Sequence, residues 1–262
     1  MKGVREQYEL GKYLRQRYDG FLSKAYHASQ IYVRSSSFNR AIMSASANMA
    51  GLFEPEGDQL WNKQIRWQPV PIQVVPKEND PMLWTKRPCP AATQLFEDFK
   101  KSSSDLRRIE QKYARLLTFL GQKTGLNRTL QLYNDVYDVF DLLNCQRFHK
   151  KTQSWPKWMN VTIFKELAEV YDSTVTMTFP TFEIQRLRGG IRLLLGDILS
   201  RMRNQTLHLQ NKIAKFYAYS AHDSTIAALF NNLGAMQPHA PPYAALLMIE
   251  LHQINNQHFV EA

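Results

Sequence analysis

Two short stretches carry residues able to do chemistry, and they share one arrangement. One is Val33-Arg34-Ser35-Ser36 and the other is Ser220-Ala221-His222-Asp223-Ser224. Each sets polar residues between a run that reads as a strand and a run that reads as a helix. In a parallel sheet such turns lie at the carboxyl edge of the strands, where open α/β folds hold ligands. The helix N-termini that follow offer free backbone N–H groups and the positive end of a dipole, which suit a phosphate. Arg34 supplies a planar, permanently charged fork for phosphate oxygens. His222 can carry positive charge beside an anion, and Asp223 can hand a proton to a departing oxygen. Each also has an ordinary structural use: Arg34 as a salt-bridge partner, Asp223 as a helix N-cap, His222 as a hydrogen-bonded residue at a helix start. The other histidines (His27, His149, His208, His239, His252 and His258) lack metal spacing such as H-E-x-x-H.

The elements that must position these turns can be read from periodicity. Val4, Tyr8, Gly11, Leu14 and Tyr18 recur at helical spacing, so the chain opens in an amphipathic helix. Gln30 to Val33 reads as a strand ending in Arg34. Ser35-Ser36-Ser37 offers an N-cap for a helix from Phe38 to Phe53. Trp67 to Pro90 is broken by prolines and reads as an extended connector. Leu106, Ile109, Tyr113, Leu116 and Leu120 form one helical stripe closed by Gly121. Leu130, Tyr133, Val136, Tyr137 and Phe140 form a second, and Val161 to Tyr171 a third. Arg188-Gly189-Gly190 opens a further helix, whose apolar face is Ile191, Leu194, Leu195, Ile198 and Leu199. Phe216 to Ser220 is a strand, followed by a helix to Leu233 capped by Asp223 or Ser224. Tyr243 to Leu251 reads as an apolar strand, turned by Asn255-Asn256 into Gln257 to Glu261 as an antiparallel edge hairpin. The pattern predicts an α/β fold in three stretches: 1–90 as the first part of a sheet core, 91–185 as an inserted all-helical cap, and 186–262 as the second part.

Composition narrows the function classes. With 44% hydrophobic and 21% charged residues, the 262-residue chain is neither disordered nor collagenous. Two cysteines, Cys89 and Cys145, make neither a disulfide framework nor a four-cysteine zinc site. No apolar run reaches the roughly 18 to 20 residues of a membrane span, and Met1 to Glu6 has no apolar core of a signal peptide. The net charge is +10, and no Lys or Arg follows Lys215. This reads as a solvated basic surface, with attraction of an anionic substrate as the functional alternative. Nucleic acid is not indicated, because no basic stripe with interleaved aromatics occurs. Asn127, Asn160 and Asn204 each open an N-x-Thr sequon, three possible N-glycosylation sites.

At the level of whole motifs, Tyr219-Ser220-Ala221-His222-Asp223-Ser224-Thr225 and the downstream Pro241-Pro242-Tyr243-Ala244 resemble the C-terminal signature of histidine acid phosphatases. Ile31-Tyr32-Val33-Arg34-Ser35-Ser36-Ser37-Phe38-Asn39-Arg40, with Gly51-Leu52-Phe53, is similar to another part of that family. So are Gly3 to Tyr18, Trp67-Gln68-Pro69-Val70-Pro71 and Asn144-Cys145, in the manner of the animal prostatic and lysosomal members.

The resemblance implies a mixed, mostly parallel sheet flanked by helices, with a helical cap. It implies hydrolysis of small phosphate monoesters at acidic pH through a phosphohistidine, without cofactor or metal. Residue by residue, Arg34 would clamp the phosphoryl oxygens, His222 would share that electrostatic role, and Asp223 would protonate the leaving group. It further implies a homodimer in the lysosome or secreted.

The chain departs from the family in lacking the Arg-His-Gly-x-Arg-x-Pro nucleophile motif, carried on a first strand that these residues do not include. Leu246 stands where secreted relatives commonly have a cysteine, so Cys89 and Cys145 lack their usual partners. The chain also stops short of the tail that carries a membrane anchor in lysosomal-type relatives. These residues therefore read as part of a longer enzyme, with a catalytically silent member binding an anionic ligand as the alternative.

Overall fold

The computed structural model describes residues 1–84, 88–177, 181, 184, 190–207, 214–235 and 239–262. The chain divides into two compact units: Met1–Arg87 with Gly189–Ile226 and Pro242–Ala262, and Pro88–Arg188 with Ala227–Pro241.

The first unit is built on a parallel sheet. Its central strand β1 (Ile31–Ser35) pairs on one side with the two-residue β2 (Gln73–Val74) and on the other with β3 (Phe216–Ser220). Ile31, Tyr32 and Val33 are residues that favour an extended chain, and their alternation sends Ile31, Val33 and Ser35 inward. Helices α1 (Lys2–Arg17) and α2 (Asn39–Leu52) cover that face. Leu14, Ala45, Met49 and Leu52 pack there with Ile31, Val33, Phe216 and Ala218. The two helices cross at a pair of glycines. A Cβ on Gly11 would lie 2.0 Å from the Asn48 carbonyl oxygen, and one on Gly51 would lie 2.1 Å from that of Tyr8. No side chain fits at either position, so both glycines set the approach of the helices.

The opposite sheet face is met by α8 (Gly190–Thr206), through Asp197 and Arg201. The Tyr219 hydroxyl donates to Asp197, and Arg201 Nε donates to the same carboxylate at 2.8 Å. The Arg201 guanidinium lies 4.3 Å from the Tyr217 ring centroid and 5.0 Å from that of Tyr32. Burial first, and then the bond to Asp197, pushes the Tyr219 phenol well above its ordinary range. Helices thus lie on both faces of the sheet.

A separate antiparallel hairpin joins β4 (Glu250–Ile254) to β5 (Gln257–Glu261). Asn255 and Asn256, at φ 51° and 61°, form the two-residue turn. The sequence places a strand from Tyr243, but the chain takes up strand geometry only at Glu250. Ala244 stands at φ 57°, and the stretch before Glu250 has no hydrogen-bonded strand partner among the described residues. Its apolar character serves packing instead, with Met248 against the sheet core. Glu250 ties the hairpin to the end of α1. It accepts two bonds from the Arg17 guanidinium, at 2.9 and 2.7 Å, and one from the Tyr18 hydroxyl at 2.6 Å.

The second unit is helical: α3 (Pro90–Ser102), α4 (Ser104–Lys112), α5 (Ala114–Lys123), α6 (Asp135–Phe148) and α7 (Val161–Thr176). The single stripe expected from Leu106 to Leu120 is broken at Tyr113, and Gly121 lies inside α5, against the Arg128 carbonyl. Leu117, Leu120, Val136, Leu167 and Val170 are fully buried, and Phe140 stacks on Tyr171 at 4.1 Å. Arg188, Gly189 and His208 lie outside the described residues.

Candidate active site

The register of the parallel pair brings the two chemical turns level. Arg34 lies opposite Tyr219 and Ser35 opposite Ser220, so both chains leave the sheet at the same edge. The Ser36 N–H then donates to the Ser220 carbonyl at 3.0 Å, and the Ser220 hydroxyl donates to the Ala41 carbonyl at 2.8 Å. Beyond the sheet each turn enters a helix: α2 after the first and α9 (Asp223–Asn232) after the second.

His222 sits at this junction. Its Nε2 is 3.0 Å from the Ser36 hydroxyl, and its Nδ1 is 3.4 Å from Arg40 Nη2. A guanidinium only donates, so Nδ1 can take that contact only as an acceptor, while Nε2 can pair with the Ser36 hydroxyl as donor or acceptor. The ring meets Phe38 edge-on at 5.0 Å, and Arg40 lies over the same Phe38 ring at 4.7 Å. Asp223 opens α9, its carboxylate accepting from the Ser224 N–H at 2.7 Å.

Arg34 reaches the same edge, but a carboxylate of its own chain engages it. Nη2 donates to Asp80 Oδ1 at 2.8 Å, and Nη1 meets the Met82 sulfur at 3.4 Å. The pair is enclosed, with side-chain exposures of 12% for Arg34 and 2% for Asp80. Asp80 Oδ1 also accepts from the Met82 and Leu83 N–H groups at 2.9 and 3.0 Å. The segment from Lys77 to Trp84 is thereby fastened to the end of β1.

Of the three residues singled out by sequence, His222 and Asp223 stand together at the sheet edge, and Arg34 stands beside them paired with Asp80. Sequence reasoning missed Ser36, Arg40 and Asp80. It offered Ser35, Ser36 and Ser37 as an N-cap, but α2 begins after Phe38 without a side-chain cap. The Ser36 hydroxyl turns to His222 instead, and that of Ser35 donates to the Ser36 carbonyl.

A signal for Arg40 was present. Side chains in a helix lean toward its N-terminus, so a first-turn arginine leans back over the strand edge. There it faces the positive end of the dipole, and α2 has no acidic first-turn residue to offset it. An exposed cation in that position suits a bound anion. Nothing in local sequence, by contrast, pairs Asp80 with Arg34, which lies 46 positions away.

The model of the histidine phosphatase superfamily, branch 2, matches residues 1–262. Lysosomal acid phosphatase of Xenopus laevis is 36% identical over 262 residues, covering 98% of this chain and 59% of its own length. That of Bos taurus is 36% identical over 263 residues, covering 98% and 60%. Prostatic acid phosphatase of Homo sapiens is 35% identical over 261 residues, covering 99% and 66%. The chain therefore spans about three-fifths to two-thirds of the length of these relatives. Among solved structures, a phytase from Citrobacter braakii superposes with a TM-score of 0.64 at 18% identity, over 98% of this chain and 72% of its own. A phytase from Klebsiella sp ASR1 gives 0.63 at 18%, over 88% and 60%. At that identity the two structures speak for the fold alone, an α/β sheet flanked by helices, while the match over all 262 residues settles kinship: the chain belongs to the histidine phosphatase superfamily, branch 2.

Proposed function

We propose that these residues are the phosphate-binding and proton-donating part of an acid phosphatase that cleaves small phosphate monoesters. The observation that carries this reading is Arg40 beside His222 at the shared carboxyl edge of β1 and β3. A phosphoryl group placed there takes charged hydrogen bonds from both side chains. Arg34 stands behind them, adding positive potential while Asp80 holds it. Asp223 gives a proton to the alcohol oxygen as the P–O bond breaks. The attacking histidine, which becomes phosphorylated and is then freed by water, comes from outside these 262 residues, which contain no Arg-His-Gly triplet.

The names of the relatives, lysosomal and prostatic acid phosphatases, support a lysosomal or secreted protein. The sequons agree with that route, and exposed Asn127 and Asn160 are the more accessible acceptors beside half-buried Asn204. The complete enzyme is proposed to be a homodimer, as family likeness suggests.

Inorganic phosphate binding by calorimetry tests the site directly. Arg40→Ala should weaken binding by about ten- to a hundredfold, the weight of a charged hydrogen bond. Binding unchanged in both Arg40→Ala and His222→Ala refutes the assignment.

A further inference from the structure

Lys77 opens a short 3-10 turn, Lys77–Asn79, in the segment that Asp80 fastens to β1. Its Nζ lies 4.6 Å from the centroid of Trp84 and 5.7 Å from that of Phe38. Phe38 is the same ring that carries Arg40 and meets His222 edge-on. One phenyl ring thus has a lysine, an arginine and an imidazole around it.

Such crowding has a cost, since like charges repel and a cation–π contact returns only about 0.5 to 1 kcal/mol at an exposed site. Of the segment's two acidic residues, Asp80 is committed to Arg34 and 2% exposed, and Glu78, next to Lys77, is exposed and forms no ion pair among the described residues. Lys77 itself forms no ion pair among the described residues. A lysine ordinarily keeps a mobile, hydrated head. Here two rings hold it to one side of the site, so little freedom is left to lose when an anion arrives.

We propose that Lys77 is a second anion-binding group, and that the preferred ligand is a phosphomonoester whose organic part bears a further carboxylate or phosphate about one aromatic ring away. This rests on Arg40 and His222 holding the first phosphate. Lys77 and Arg40 lie against a common ring, so a ligand with two anionic ends spans them and relieves both charges. A ligand with one anionic end leaves Lys77 unanswered.

The test compares two stable probes, phenylphosphonate and 4-carboxyphenylphosphonate, binding to the full chain by calorimetry at low salt. The carboxylated probe should bind about three- to tenfold tighter, the range for one partly exposed, well-held ion pair. Lys77→Met keeps an unbranched side chain for the rings and removes the charge, and it should shrink that ratio to within about twofold. In the unaltered protein, salt raised to about 1 M, where screening acts within about 3 Å, should shrink it likewise. Equal affinities in the unaltered protein, or a preference that survives both Lys77→Met and high salt, overturn the role of Lys77 while leaving the phosphate site standing. If neither phosphonate binds, the phosphate-binding reading falls and this inference falls with it.

Discussion

Replacing Asp80 by alanine should cost the fold more than any other single change at the sheet edge. One oxygen of Asp80 takes three hydrogen bonds: from the Arg34 guanidinium at 2.8 Å and from the Met82 and Leu83 N–H groups at 2.9 and 3.0 Å. The charged bond is worth about 1.5 to 3 kcal/mol, and each stranded amide about 1 kcal/mol. Leu83 is fully buried, so its N–H finds no water once the carboxylate is gone. The sum, about 3 to 5 kcal/mol, agrees with the usual loss when one partner of a buried ion pair is removed. It is a large part of the roughly 5 to 15 kcal/mol that holds a domain together. Asp80→Asn keeps an acceptor for the amides and should cost about half as much.

Urea unfolding followed by tryptophan fluorescence, with Arg34→Met and the double variant closing the cycle, gives the coupling between the two residues. A coupling above about 1.5 kcal/mol is expected for a charged pair so enclosed. If Asp80→Ala costs less than about 1 kcal/mol, or if its effect is independent of Arg34, the reading of the pair as a structural strut is wrong. Phosphate binding adds a second check, because Arg34→Met should weaken it less than Arg40→Ala does.

Three further outcomes are expected. Gly51→Ala should destabilise by about 2 kcal/mol or more despite alanine's better helix propensity, because its Cβ would lie 2.1 Å from a carbonyl oxygen. Gly196→Ala, with nothing within 4 Å of the new Cβ, should instead stabilise slightly; thermal melts of both check the sign. The Glu250 carboxylate, held down to about 2 first by its bond to Arg17 and then by that to Tyr18, favours the fold above its ordinary value of 4.5. That support fades as the pH falls from 4.5 toward 2, so the hairpin should stay docked at pH 5; a carboxyl NMR titration with Glu250→Gln as control reads it. Asn160 accepts from the Ile163 N–H at 3.0 Å as the cap of α7, so Asn160→Ala should lower unfolding stability by about 1 kcal/mol while Asn160→Asp keeps the cap.

The sequence made the local elements legible where one physical signal dominated. The helical spacing from Val4 to Tyr18, the Ala-rich run after Phe38 and the Asn255-Asn256 turn each lead to the element found. Errors arose where neighbours outside the segment decide. Tyr243 to Ile249 has the composition of a strand, but a strand needs a ladder with a neighbouring strand, and among the described residues this stretch enters none. The three serines after Arg34 look like a cap, but one of them answers a histidine 186 positions on. In the site, His222 and Asp223 stood out because they follow a strand at once. Arg40 sits inside a helix and declares itself only through the direction in which first-turn side chains lean.

The distance along the chain between Ser36 and His222 also governs when the site comes into being. At about 5 to 20 residues per second of synthesis, β1 waits roughly 10 to 40 s for the strand that will lie beside it. Over that interval α1 and α2 are already available to close over one face of β1, and helices α3 to α7 of the second unit emerge. The β1 edge that β3 will occupy is meanwhile bare, with Ile31 and Val33 in an apolar, β-prone segment. A chaperone that shields extended apolar segments over that interval should therefore raise the yield of folded protein without altering the native state.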